Sequence, residues 1–413
     1  MAGKDWPLVP LGELTENFDG RRVPVKEIDR KTGPYPYYGA SGIVDRVDGY
    51  LFDGEYLLIG EDGENLRTRQ TPISFMATGR FWVNNHAHIV RGNDRADTRF
   101  LNYVLSQTDI SGYLTGSTMP KLTQGNLNRL PVIAPPLPEQ KAIAAVLGAL
   151  DDKIELNRRM NATLEAMARA LFQSWFVDFD PIRAKLDGRQ PSGLGPATAV
   201  LFPEHLEETA LGHTPKGWEV HSLDKIAHYL NGLALQKYPP GDGATLPVIK
   251  IAQLRKGDSA DADRCNTDLP PNYIIQDGDV LFSWSGSLEV ELWCGGPGAL
   301  NQHLFKVTSA EFPKWFYYLW TLYHLDEFRL IAADKATTMG HIQRGHLAAA
   351  KVLIPPRALL DSMTSTMSPL IDQLIANRTQ SRTLATLRDT LLPKLLSGQL
   401  RVPDAMTHVE AGA

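Results

Sequence analysis

The side chains whose types and spacing could do chemistry are few, and each group fails a specific test. The run Leu-Pro-Pro-Asn-Tyr at 269–273 has the residue types with which amino-methyltransferases hold a base amino group. In that motif an Asn or Asp precedes the prolines. Here Asn272 follows them, and the run reads as a turn. The stretch Gly-Gly-Pro-Gly-Ala-Leu at 295–300 is not the GxGxxG fingerprint of a dinucleotide site and precedes no convincing helix, so it reads as a loop. His86 and His88 alternate as on one strand face, which could begin a metal site, but no carboxylate or Cys/His cluster accompanies them at useful spacing. They read as structural histidines. Glu61, Asp62 and Glu64 gather carboxylates as a nuclease does, yet no lysine follows in an ExK register, and a solvated loop is the expectation. A GxxxxGK[ST] phosphate loop is also lacking. No catalysis, cofactor or metal is expected.

The chain that carries these residues has 413 of them, which argues for two to three domains. A hydrophobic content of 43% and a charged content of 22% are those of a soluble globular protein. The start, MAGKDWPLVPLGELTENF, has no basic region leading into an apolar run, and no apolar stretch approaches the roughly 18–20 residues that span a bilayer. The two cysteines, Cys265 and Cys294, form neither a CxxC pair nor a disulfide framework, which suits a cytoplasmic location. A net charge of −5 gives nucleic-acid binding no support as a bulk property, although a basic face can sit on an acidic protein.

The chain is written twice. Residues 116–172 align with 336–392 without a gap, so that GSTMPKLTQGNLNRLPVIAPP lies over ATTMGHIQRGHLAAAKVLIPP. Identities continue through Asn157/Asn377, Leu164/Leu384 and Leu171/Leu391. Upstream the offset drifts, yet WPLVPLGEL matches WEVHSLDKI, FDGEYLLIG matches QDGDVLFSW, and NNHAHIV matches NQHLFKV. Each copy opens with short strand-like runs between Gly- and Pro-rich turns and includes one helical stretch, which predicts an α+β domain. Each copy then passes through Pro-Pro into a long apolar periodicity.

In the first of these long helices, Ile143, Leu147, Leu150, Ile154, Asn157, Leu164 and Leu171 fall on the alternating spacing of a coiled-coil seam. The second seam holds Met367, Leu370, Leu374, Asn377, Leu384 and Leu391. Asn157 and Asn377 interrupt the seams at the same place, as a register-fixing polar residue does. The plainer alternative is an amphipathic helix packed on its own domain. Pro369 predicts a break or kink in the second helix, with Ser368 as a new cap. The two helices are expected to pair antiparallel as a rod near 57 Å, at about 1.5 Å per residue, giving a pseudo-twofold molecule. The expected division is a first domain over 1–134, a helix over 135–180 and a linker over 181–216. A second domain over 217–354, a helix over 355–400 and a tail over 401–413 follow.

This layout, with PPLPEQKAIAAVLGALDDKIELNRR and LRDTLLPKLLSGQLRV, resembles the specificity subunits of type I restriction–modification systems, over nearly the whole chain. The second copy departs from the pattern: PPRALLD lacks the Glu-Gln of Glu139 and Gln140. The resemblance implies two target-recognition domains alternating with two spacer helices, each domain reading one half of a split, asymmetric target in double-stranded DNA. It implies as partners two methyltransferase subunits, which supply S-adenosylmethionine chemistry on adenine, and restriction subunits, which add the motor and nuclease. Two half-sites on one DNA face about one helical turn apart would leave a gap of roughly 6–8 bp. Enzymatic rivals, a self-sufficient methyltransferase or nuclease with duplicated recognition domains, lack every cofactor motif. A scaffold that binds no DNA and a specificity-like subunit of a related defence system remain as alternatives.

On this reading the candidate DNA contacts are loop residues. In the first copy they are Arg21, Arg22, Lys26, Tyr38, Ser41, Arg67, Arg69, Ser117, Thr118 and Lys121. In the second they are Lys237, Lys250, Gln253, Arg255, Ser285, Ser287, Thr337, Thr338, His341 and Arg344. Arg and Lys can reach guanine edges, Gln can bridge adenine, and hydroxyls can hold phosphates. The recurring Ser-Thr-Met and Thr-Thr-Met stretch is favoured, because it recurs while its neighbours change.

Overall fold

The computed structural model describes residues 6–334 and 340–412. It divides into two compact units, Met1–Ile154 with Thr383–Ala413, and Glu155–Arg382. Among the described residues no helix is long and apolar enough to cross a membrane.

In the first unit, β1 (Leu8–Pro10) pairs antiparallel with β8 (Pro131–Ile133), so the start of the domain is tied to the strand that feeds its exit. Between them lie β2 (Thr15–Asn17), β3 (Thr32–Gly39), β4 (Gly42–Val47), β5 (Phe52–Gly60), β6 (Ser74–Val83) and β7 (Ala87–Gly92). They form one sheet in the order β2-β7-β5-β6-β3-β4, antiparallel except where β3 runs parallel to β6. Its two faces follow the period of two in the sequence. Leu57 and Ile59 pack with the helix Thr98–Gln107, whose Phe100, Leu101, Val104 and Leu105 are buried, while Tyr56 and Leu58 join Phe52 and Phe81 on the other face. Asp97 caps that helix by accepting from the Phe100 N–H. Burial of each such Leu or Phe is worth about 1.5–3 kcal/mol.

The second unit repeats this plan. Its elements are β9 (Leu206–Thr209), β10 (Gly212–Pro215), β11 (Glu219–Ser222), β12 (His228–Asn231), β13 (Thr245–Ile249) and β14 (Arg264–Asn266). They continue as β15 (Ile274–Ile275), β16 (Val280–Ser283), β17 (Val290–Leu292), β18 (Gly298–Leu300), β19 (Leu304–Thr308) and β20 (Lys351–Ile354). The β11–β20 pair stands for β1–β8, and the sheet β12-β19-β16-β17 stands for β2-β7-β5-β6. Where β6 runs unbroken, the second copy splits it into β17 and β18 at Trp-Cys-Gly-Gly-Pro-Gly. β13 then runs parallel to β18 as β3 does to β6, in a separate sheet. Strand pairing also corrects the alignment of FDGEYLLIG with QDGDVLFSW by one residue. Leu57 faces Val90 and Val280 faces Val307, so Glu61 corresponds to Trp284. A turn may gain a residue, but a strand that slips by one turns its apolar face outward.

The long helices span Leu137–Phe176 and Arg357–Leu396, 40 residues each. They pack together, and their polar contacts run antiparallel in the second unit. There Asn157 Nδ2 donates to Gln380 Oε1 (2.9 Å) and Ser381 Oγ (3.3 Å), while Asn377 Nδ2 donates to Asn161 Oδ1 (3.0 Å). Since Asn157 corresponds to Asn377 and Asn161 to Ser381, the layer relates to itself by a local twofold. Leu374 and Met367 are buried there, and Leu164, Leu171 and Leu370 are half-buried beside them. In the first unit Ile143, Leu147 and Leu150, with half-buried Ile154, pack with Leu384 and Leu391, and Arg388 binds Asp151 at 2.7 Å. The Tyr103 hydroxyl donates to the same Asp151 carboxylate at 2.5 Å. Burial and that carboxylate push the Tyr103 phenol well up.

Three expectations are corrected. The second long helix does not break at Pro369. The proline leaves the Ser365 carbonyl without its helical donor, but both residues are exposed and water can replace it. The stretch 181–216, expected as a linker, forms the helices Asp180–Leu186 and Pro196–Leu201 and the β9–β10 hairpin. Its Ile182 and Phe202 are buried with Trp175 and Trp218. The tail forms the helix Val402–Gly412, which buries Ala405 in the first unit. Apolar residues too sparse to show a period still found a surface to cover.

The Pro-Pro-Leu-Pro-Glu-Gln entry also acquires a role. Gln140 is buried; its Nε2 donates to the Pro135 and Arg95 carbonyls (2.8 and 3.0 Å) and its Oε1 accepts from the Asp97 N–H (3.0 Å). It thus fastens the start of the long helix to the loop that starts the helix Thr98–Gln107. In the second copy the corresponding Leu360 is buried among apolar side chains instead.

Candidate nucleic-acid interface

Three loops meet at the same place in each unit. In the first, they are the residues after β5, the β6–β7 turn and the stretch 115–122. The Leu122 N–H donates to the Glu61 carbonyl (2.8 Å), the Gly63 N–H to the Pro120 carbonyl (3.1 Å) and the Glu61 N–H to the His86 carbonyl (2.9 Å). In the second, the Ile342 N–H donates to the Trp284 carbonyl (3.0 Å), the Gly286 N–H to the Gly340 carbonyl (2.8 Å) and the Trp284 N–H to the His303 carbonyl (3.3 Å). Isolated bridges pair Asp62 with Lys121 and Ser285 with His341. The backbone frame is common to both units, and the side chains on it differ.

The frame explains the repeated Asn-x-His. Asn84 and Asn301 are buried, and their side-chain oxygens accept the N–H of His86 (2.8 Å) and His303 (3.3 Å). The two imidazoles then face equivalent partners. His86 Nδ1 lies 2.9 Å from the Asp62 carboxylate, and His303 Nδ1 lies 3.0 Å from Ser285 Oγ. Among the described residues no group of three or more His, Cys, Asp or Glu could hold a metal ion.

Glu61 is not the solvated carboxylate expected from its loop. It binds Arg22 (2.6 Å) and Lys121 (3.2 Å), and its side chain is 13% exposed. Behind it, His88 is buried, with Nδ1 at 2.6 Å from Asp19 Oδ2 and Nε2 at 2.7 Å from the Leu122 carbonyl. Burial by itself would raise the Asp19 and Glu61 carboxyls. For Asp19 the hydrogen bond and charge of His88, the Ile89 N–H and the Arg22 charge outweigh it. For Glu61 the Arg22 and Lys121 hydrogen bonds and the His88 and Arg22 charges do so. Both carboxyls are held below their usual range.

Several candidate contacts are occupied by the fold. Arg22 is held by Glu61 and by the Ala87 carbonyl (2.8 Å), so it balances buried charge rather than reaching outward. Arg69 has a left-handed backbone (φ 49°) and donates to the Ser106 and Thr108 carbonyls at the end of the helix Thr98–Gln107. Gln253 is buried, and its side chain accepts the Lys250 N–H (3.2 Å) at a helix start. Ser285 is buried against His303, and Lys250 is paired with Asp263. Arg344 lies over the Phe305 ring at 5.6 Å and donates to the Tyr229 carbonyl. Arg21 lies over Phe52 at 4.9 Å and donates to the Leu51 carbonyl. Tyr38 is half-buried against Phe75 and Phe81, and burial pushes its phenol up.

The remaining first-copy candidates are exposed. Arg67 donates to the Gly116 carbonyl (3.0 Å) and so braces the turn that presents Ser117 and Thr118, both exposed. Gly116 has φ +85° and a Cβ there would lie 2.2 Å from the Met119 oxygen, so this turn requires glycine. Lys121, half-exposed, is bridged through its backbone to Asp62 and binds Glu61 through its ammonium (3.2 Å). Lys26, before β3, and Ser41, in the β3–β4 turn, are exposed. In the second unit His341 is half-buried at the matching place beside Trp284 (6.4 Å between ring centres), and Lys237, Arg255 and Ser287 are exposed. Thr337 and Thr338 lie outside the described residues. His86 and His303 were legible as a repeat and Asp62 as a loop carboxylate, but not as parts of this cluster, because their partners come from distant loops.

Residues 3–166 and 215–383 match the family model described as the type I restriction modification DNA specificity domain. The chain is 26% identical to the type I restriction enzyme MjaIX specificity subunit of Methanocaldococcus jannaschii, over 97% of this chain and 95% of that protein. It is 23% identical to the HindI specificity subunit of Haemophilus influenzae, over 84% of each. The crystal structure of a type I restriction–modification S subunit from M. genitalium has the same fold, with a TM-score of 0.58 at 15% identity over 96% of this chain and 99% of that one.

Proposed function

Because this chain belongs to the family of the type I restriction modification DNA specificity domain, we propose that it reads a split, asymmetric DNA target for a type I restriction–modification complex. One observation carries the reading. Two units share a pinned three-loop frame, and the side chains displayed on it differ between them: Asp62, His86 and Lys121 in one, Ser285, His303 and His341 in the other. A common frame with different donors and acceptors is what reading two unlike half-sites requires. The long helices act as the spacer, and they and the units dock two methyltransferase subunits, with restriction subunits joining that assembly. The chemistry belongs to those partners; this chain supplies the address.

The net charge of −5 bears on affinity. Phosphate contacts dominate the strength of DNA binding, and many of this chain's arginines are already engaged by its own carbonyls and carboxylates. The isolated chain should therefore bind DNA weakly, and specific binding should appear with the methyltransferase subunits. Gel shifts of genomic fragments at about 0.15 M salt, with and without those subunits, test this. Tight sequence-specific binding by the chain alone would contradict it.

A further inference from the structure

The frame is shared by the two units, but what fastens it is not. Strand register places Asp19 at the position of Asn231, Glu61 at that of Trp284 and His88 at that of Phe305. In the second unit these positions make an aromatic fastening. Trp284 packs on Phe305 with ring centres 5.9 Å apart and donates its indole N–H to Asn231 Oδ1 at 2.9 Å. In the first unit the same three positions make an ionic one. Asp19 approaches His88 from the stretch after β2, Glu61 lies 3.9 Å from it at the end of β5, and Arg22 and Lys121 bind Glu61.

His88 is the joint of this network. Its two ring nitrogens face a carboxylate oxygen and a carbonyl oxygen, and neither oxygen can donate. Both bonds therefore need an N–H on each nitrogen. The second bond ends on Leu122, which follows Lys121 directly and is itself fully buried. The ring thus ties the loop that carries Lys121 to the buried Asp19 carboxylate that follows β2. Removing the ring would take from buried Asp19 Oδ2 its hydrogen-bond partner and from the Leu122 carbonyl its tie, a costly state in a poorly solvated place.

We propose that His88 is a positioning residue for reading of the half-site assigned to the first unit. It holds the Lys121 loop by a buried ionic tie, whereas the loop of the second unit is held by aromatic packing. The inference rests on the function proposed above and adds an asymmetry to it: one half of the target is read from a loop fastened by ionic contacts, the other from a loop fastened by aromatic ones.

The test uses the full chain assembled with its methyltransferase subunits, acting on methylation-free genomic DNA, with the methylated motif read by sequencing. His88→Phe should relax discrimination in one half of the motif by roughly tenfold, the scale of one base-edge contact, and leave the other half intact. The quadruple variant Asp19→Asn/Arg22→Ala/Glu61→Trp/His88→Phe, which installs the fastening of the second unit and removes the arginine that would otherwise lose both its carboxylates, should restore discrimination. That rescue separates positioning from mere damage, because a fold weakened by one substitution is not mended by three more unless they refasten the loop. If His88→Phe relaxes both halves equally or neither, the proposal is overturned. The same holds if the quadruple variant is no better than the single one. A wild-type assembly that methylates no split motif would instead overturn the function on which the proposal rests.

Discussion

The polar layer between the long helices offers a quantitative test. Asn377 is buried; its Nδ2 donates to Asn161 Oδ1, and its Oδ1 accepts from Gln373 Nε2 at 2.7 Å. Asn161 is buried as well. Asn377→Leu removes the donor and leaves Asn161 Oδ1 unsatisfied, costing about 1–3 kcal/mol, and two hydrogen bonds of about 1 kcal/mol each are lost with it. The new leucine returns about 1.5–3 kcal/mol through burial. The single variant should therefore come out between neutral and about 3.5 kcal/mol less stable. Adding Asn161→Leu removes the stranded oxygen and buries a second leucine, so the double variant should be more stable than either single one, with a coupling of about 1–3 kcal/mol. Urea unfolding of the four proteins in a complete cycle measures it, followed by far-ultraviolet dichroism. Strictly additive changes, within about 0.5 kcal/mol, would refute the claim that these two amides satisfy each other. A second consequence concerns register. With Asn157 alone left buried in the layer, the penalty on a slipped pairing falls, and the double variant assembled with methyltransferase subunits should methylate motifs with more than one gap length.

Three further outcomes follow from other contacts. Gln140→Leu should destabilise the first unit by about 2–4 kcal/mol in urea unfolding, since it strands the Asp97 N–H and the Arg95 carbonyl. Asp19 and Glu61 are held below their ordinary values of 3.8 and 4.5, so the stability they supply is present above those values and lost as pH falls through the lower folded ones. Acid titration of the full chain, followed by backbone hydrogen exchange at Leu122, should show protection falling below about pH 4, and no loss down to pH 2 would contradict it. Exchange of residues 5–133 for another recognition domain should change one half of the methylated motif; simultaneous change of both halves would show that the units do not read independently.

The sequence made the duplication, the long helices and the Asn layer legible for a physical reason. Repeats, heptads and a polar residue at an apolar position are all one-dimensional signals. The loop frame was harder. Ser-Thr-Met and Asn-x-His were visible as repeats, but their convergence with residues after β5 depends on strand register, and the alignment there was off by one. The arginines misled for a related reason. Arg22, Arg69 and Arg344 look like DNA contacts in a basic loop, yet each meets an internal acceptor or ring that lies far away in the chain. Gln253 and Ser285 were chosen by type alone, and burial removes them as contacts.

The central claim is that the two pinned frames read separate halves of one target. Its most direct test compares the methylated motifs produced by the assembled complex carrying Lys121→Ala with those produced by the complex carrying His341→Ala. These residues occupy matching places in the two frames. The account predicts that each variant relaxes a different half of the motif and leaves the gap length unchanged. If both variants relax the same half, or both leave every letter intact, the two frames are not the reading sites.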